Sequence, residues 1–276
     1  MFGPTRSSRE GKPSAAGSLH AFSRFVALGD SFTEGLNDEL RPDGRHRGWA
    51  DRVASGLLAR QSTDRVEYAN LAIRGRLMRQ VRHEQVPAAI GLRPDLVTFG
   101  AGVNDALRRT FDLDVVATDL EESVRNLRAA GANVLVFAFG DPSRRSRALG
   151  RIADRMSGLR SATLAIAEKY GCIVVDFWGV AVYDDERLWS ADRLHLSALG
   201  HRVTSEAVLA ALGLGDDRWR EPISAPPRTP FVRRRVQDVG WFAGHAGPWL
   251  ARRARGISSG AGIEPKDPQL RVLHRK

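Results

Sequence analysis

From Ser23 onward, short apolar runs alternate with segments whose apolar residues recur at helical spacing. The runs Arg24–Leu28, Val66–Leu71, Pro94–Phe99, Asn133–Phe139 and Ile173–Phe177 predict five strands. Between them, Gly48–Arg60 places Trp49, Val53, Leu57 and Leu58 on one helical face. Further helices are predicted over Leu77–Ile90, with Pro87 a kink or early stop, and over Leu113–Ala130, with Gly131 as its C-cap. A long helix over Arg151–Tyr170 and a last one over Ser197–Leu212, N-capped by Ser197, complete the pattern. Strands with no polar face, each followed by an amphipathic helix, predict an α/β fold. Its parallel sheet is covered on both sides, a three-layer α/β/α sandwich spanning residues 22–213.

Composition changes the picture only at the ends. Residues 1–21 predict a flexible leader without the apolar core of a secretory signal, and no window reaches the length of a membrane span. The expected location is the cytoplasm. The net charge is +10, and residues 214–276 hold 13 Lys/Arg against 6 Asp/Glu, so this basic C-terminal extension carries +7 of it. Within it, Glu221–Pro230 has four prolines and predicts a linker. Residues 232–255 mix arginines with Trp241, Phe242, Trp249 and Leu250, a pattern suited to an anionic membrane surface and less so to nucleic acid. Gly256 to Lys276 is expected to be disordered. The single cysteine, Cys172, allows no intrachain disulfide and sits in a run expected to pack.

Chemistry concentrates where strands are expected to end. The first strand stops at Gly29-Asp30, and Ser31 follows with Gly35 just beyond. A serine hydroxyl is a weak nucleophile until a base takes its proton. That base is available after the fifth strand, in Asp192-Arg-Leu-His195, where a carboxylate three residues from an imidazole can fix its tautomer. Acyl transfer also needs donors for a developing oxyanion. The second strand leads to Gly75, whose backbone N–H can approach a substrate, and the third to Gly102-Val-Asn104-Asp105, with a side-chain amide. Asp30 and Asp105 are expected to stabilise their loops, His201 and His83 to be packed or solvated. Trp178 and Trp189 are read as core fillers, and residues 37–47 as a polar loop over the same edge. No phosphate-binding glycine loop or metal-ligand spacing is present, so no cofactor is called for.

Taken together these blocks resemble the SGNH (GDSL-type) hydrolase superfamily. Gly29-Asp30-Ser31-Phe32 is similar to its first block with Phe in place of Leu, Asn70 to Gly75 to its second with Ala72 where a glycine is common. Gly102 to Asp105 is similar to its third and Asp192 to His195 to its fifth. The resemblance covers residues 22–213. It implies a flavodoxin-like five-stranded sheet of order 2-1-3-4-5 and hydrolysis of a small ester substrate. It assigns Ser31 as nucleophile, His195 as base and Asp192 as its orienting acid. The oxyanion hole it implies consists of the Ser31 and Gly75 amides and the Asn104 side chain.

Overall fold

The structure, a computed structural model, describes residues 21–144, 149–224, 260 and 262–275. The leader through residue 20 and the Arg/Trp stretch 232–255 lie outside the described residues. Among the described residues, six strands form one sheet in the order β5-β4-β3-β1-β2-β6. They are β1 (Arg24–Gly29), β2 (Arg65–Asn70), β3 (Leu96–Gly100), β4 (Asn133–Ala138), β5 (Ile173–Asp176) and β6 (Asp267–His274). The first five run parallel, in the order the resemblance implies.

Period-two alternation sends neighbouring strand residues to opposite layers. Phe25 and Ala27 enter a core built on helices α1 (Gly48–Arg60) and α5 (Ala198–Ala211). Val26 and Leu28 enter the other, against α2 (78–91), α3 (Leu113–Ala129) and α4 (Ala153–Tyr170). Ser197 caps α5 as expected, its hydroxyl accepting from Gly200 N at 3.2 Å, and Asp112 caps α3.

Two expectations are corrected. The sheet has six strands, and the sixth comes from residues expected to be disordered: β6 pairs antiparallel with the outer edge of β2, Val66 opposite Leu273. Residues 214–224 also pack on the domain, with Trp219 buried near Phe177. The described parts of the expected extension are therefore part of the folded body. The second correction is at Pro87. The helix does not stop there; it widens into a π turn over Val81–Gln85 and then continues through Pro87 to Gly91. A proline at the start of a helical stretch needs no N–H donor, which is how the widened turn absorbs it.

Candidate active site

The first strand ends against its neighbour so closely that only a glycine fits. Gly29 has φ 147°, and a side chain there would run into the Gly100 carbonyl and Thr33 Oγ1. Buried Gln85, presented by the π turn, clasps both sides of Gly29: Oε1 accepts from its N–H at 2.8 Å, and Nε2 donates to its carbonyl at 2.9 Å. The chain then folds into one helical turn, Ser31–Glu34, capped by Asp30, whose carboxylate accepts from Phe32 N at 3.0 Å. The ring of Phe32 sits among Trp49, Phe137 and Phe139, with centroids 5.1–5.3 Å away. That aromatic contact anchors the turn from below and gives the Phe-for-Leu departure a packing role.

Across 164 positions, His195 Nε2 lies 2.9 Å from Ser31 Oγ. Its Nδ1 lies 2.6 Å from Asp192 Oδ2. The loop that holds both is closed by Ser190 N donating to the His195 carbonyl at 2.8 Å. Asp192 Oδ1 accepts from Ser190 Oγ at 2.6 Å, from Leu194 N at 3.0 Å and from His195 N at 2.9 Å. Burial works against the Asp192 charge, but the hydrogen bonds and charge of His195 outweigh it and hold the carboxyl well below the usual carboxylate range. An ionised Asp192 requires the proton on Nδ1, leaving the Nε2 lone pair directed at the serine hydroxyl. His195 and Asp192 are 19% and 24% exposed, so the pair is open to a substrate.

Sequence reasoning missed Asn37. Its Nδ2 donates to Ser190 Oγ at 2.9 Å and to Asp192 Oδ2 at 3.2 Å, so the loop 37–47 braces the acid. That loop is in turn fixed by β6. Arg41 Nη1 reaches Asp51 at 3.0 Å and Asp267 at 2.7 Å. Lys266, 6% exposed, donates to Asp51 Oδ2 at 2.5 Å and to the His46 and Arg47 carbonyls at 3.0 and 2.6 Å.

The two expected oxyanion loops converge on the same turn. Gly75 has φ 75°, a left-handed conformation that favours glycine. Among the described residues the amides of Ser31 and Gly75 have no hydrogen-bond acceptor. Asn104 Nδ2 donates to Asp30 Oδ2 at 3.0 Å and to the Arg76 carbonyl at 3.2 Å, tying the third loop to the other two. Burial raises the Asp30 carboxyl to about 7. Burial also raises Asp105, to about 6; its Oδ2 accepts from Met78 N at 2.9 Å.

The remaining candidates make their contacts with other groups. His201 is buried between Trp49 N and the Leu36 carbonyl, and burial lowers its imidazole to about 4. His83 is exposed. Trp178 lies under Arg160, and Trp189 Nε1 donates to the Tyr183 carbonyl at 2.9 Å. Among the described residues no group of three or more His, Cys, Asp or Glu could hold a metal ion, and no helix is long and apolar enough to cross a membrane.

A family model for the GDSL-like Lipase/Acylhydrolase family matches residues 27–203, which include every residue of the serine, histidine and aspartate chain. The protein belongs to this family. No curated protein matches the chain by sequence. Among solved structures, a variant of the acetyl xylan esterase Axe2 from Geobacillus stearothermophilus aligns with TM-score 0.61 and 20% identity, covering 71% of this chain and 97% of the other. LAE5, an alpha/beta hydrolase from the metagenome of Lake Arreo, aligns at 0.59 and 23%, covering 71% and 97%. TesA aligns at 0.57 and 22%, covering 69% and 98%. At these identities the likeness establishes the shared fold. Further Axe2 structures with a serine, a histidine or an aspartate replaced are described as catalytic mutants.

Proposed function

We propose that the protein is a serine esterase that cleaves carboxylic esters through an acyl-enzyme. The observation that carries this is the unbroken chain from Asp192 through His195 to Ser31 Oγ, at 2.6 and 2.9 Å. Ser31 Oγ attacks the ester carbonyl while His195 Nε2 takes its proton, and ionised Asp192 stabilises the imidazolium. The Ser31 and Gly75 amides, free of other described acceptors, receive the oxyanion. Asn104, donating to Asp30 Oδ2 and to the Arg76 carbonyl, ties the serine turn to the loop that carries Gly75 and so holds these two amides in register. His195 then returns the proton to the leaving alcohol, and water clears the acyl group by the same route. In Axe2 the replaced aspartate and histidine stand three positions apart, the spacing of Asp192 and His195, which supports the assignment. Lysophospholipids, acetylated sugars and small acyl esters are the substrate classes proposed.

The test is hydrolysis of p-nitrophenyl esters of increasing chain length by the wild type and Ser31→Ala. The substitution is expected to remove turnover at least 1,000-fold, to the order set by loss of a triad nucleophile. A fluorophosphonate probe is expected to label the wild type only. A folded wild type that neither turns over nor is labelled refutes the proposal.

A second reading concerns the basic extension. Segment 225–259 contains seven arginines against one acid, with two tryptophans and two phenylalanines. The described chain on either side ends near the catalytic loops: the Ser224 carbonyl accepts from Arg187 at 2.9 Å, and Gly260 packs against Arg74, next to Gly75. We propose that this segment attaches the esterase to anionic membrane surfaces. Truncation would also remove β6, so the arginines are replaced by glutamine instead. Salt-sensitive sedimentation with phosphatidylserine vesicles, lost in that variant, is expected; unchanged binding refutes the attachment.

A further inference from the structure

The turn that carries Ser31 ends in a second buried acid. Glu34 is 7% exposed and its carboxylate meets the loop after β2. Its Oε2 accepts from the backbone N–H of Arg74 at 2.8 Å, and its Oε1 from Arg74 Nε at 3.0 Å; the guanidinium closes a further contact through Nη2. One carboxylate thus grips both the main chain and the side chain of a single residue, and that residue directly precedes Gly75.

This grip does more than an ordinary surface pair. An exposed ion pair contributes little and leaves the backbone free to rotate. Here the pair is mostly buried, and the backbone bond fixes the peptide entering Arg74. The turn is also framed by Ile73 N donating to Gly29 O at 3.3 Å and by Arg76 N donating to Ile73 O at 3.3 Å. Beyond Gly75, the Arg76 carbonyl is held by Asn104 at 3.2 Å. The Gly75 amide, between these fixed points, is left without an acceptor among the described residues. A donor must be aimed before charge develops, because reorienting it during the reaction forfeits most of its effect.

We infer that Glu34 is a positioning residue for the oxyanion hole: through Arg74 it sets the direction of the Gly75 N–H relative to Ser31. Glu34 touches neither substrate nor reacting atoms. The inference rests on the serine-esterase proposal and assigns it a device within the nucleophile turn itself: the chain segment that supplies the attacking hydroxyl also aims a donor on another loop.

The full chain is compared with Glu34→Ala and Glu34→Gln for kcat and KM on a p-nitrophenyl ester. Glycine-selective ¹⁵N spectra are recorded before and after reaction with a fluorophosphonate. Glu34→Ala is expected to lower kcat about 10–100-fold with KM within about twofold, a fraction of the loss on deleting a donor outright. Glu34→Gln keeps an acceptor for the Arg74 N–H and is expected to recover most of that loss. In the wild type the Gly75 amide proton is expected to move downfield when a phosphonyl oxygen occupies the hole, and that movement to shrink in Glu34→Ala. Wild-type kcat together with an unchanged Gly75 movement in Glu34→Ala overturns the inference, as does a Glu34→Gln protein no better than Glu34→Ala. If the probe fails to label Ser31 in the wild type, the esterase proposal falls and takes the inference with it. Labelling of Ser31 without any effect of Glu34 overturns the inference alone.

Discussion

Two networks of charge occupy neighbouring parts of the sheet edge, and they are built for opposite purposes. Around Asp192 the groups are partly exposed, and the chain of bonds ends on a hydroxyl whose proton has a neutral imidazole lone pair to go to. Around Asp51 the partners are Lys266, Arg41 and Arg271, at 2.5, 3.0 and 2.7 Å, and Tyr68 OH at 3.3 Å. Burial lowers Lys266 from its ordinary value while Asp51 counters it, and three cations on one carboxylate leave no acceptor for a travelling proton. The first network suits proton transfer because one link is an imidazole, which can donate at one nitrogen and accept at the other. The second is cohesive because three of its links are charged donors held in place. Similar distances therefore suit proton transfer in one and cross-linking in the other, and the identity of the terminal group decides which.

The contrast breaks most sharply at Asp192. Asp192→Asn keeps the size of the side chain but favours the wrong imidazole tautomer, and kcat is expected to fall about 10³–10⁴-fold, with a fall of a few degrees in melting temperature as the bonds to the ionised carboxylate are lost. A fall of less than tenfold would show that Asp192 does not orient the histidine. Lys266→Ala is expected to do the reverse. Losing three charge-assisted bonds costs about 2–3 kcal/mol and lowers Tm by roughly 5–10 °C, while kcat per folded molecule stays within a few-fold. Thermal melts beside active-site titration check both halves.

Asp30 sharpens the comparison with a third case, a carboxylate buried on amide donors. Burial raises it from 3.8 to about 7. Between those values the unfolded chain releases the proton and the folded protein keeps it, so stability from this group falls as pH rises across the window. Asp30→Asn removes that slope. The Tm of the variant relative to wild type is expected to climb by several degrees from pH 4 to pH 7, and parallel melting curves would show that the burial is not felt.

Much of this site was legible because its residues sit in short local patterns at strand ends. Gly29 to Gly35 signals its own turn, and Asp192 to His195 signals its own loop. That five strands run parallel followed from their unbroken apolar character and the helices between them, whereas their order came from the family resemblance. What escaped shares one property: the partners are distant in sequence and ordinary in type. Asn37 braces Asp192 across 155 positions, and Gln85 clasps Gly29 across 56. β6 has only an irregular alternation, with Pro268 near its start and Val272 41% exposed, because an edge strand needs one buried side and tolerates proline. Nothing local in Asp267–His274 states that its partner is Arg65–Asn70.

Lys266 meets Asp51 across 215 positions, and the strand that delivers it is the last of the six in sequence order. Closing so long a loop carries an entropic penalty before any contact rewards it, and such non-local pairing slows folding. The loop that braces Asp192 is thus tied down by the element most distant from it in sequence. During biosynthesis the hydroxyl, imidazole and carboxylate emerge before the strand whose neighbour Lys266 secures the loop beside them.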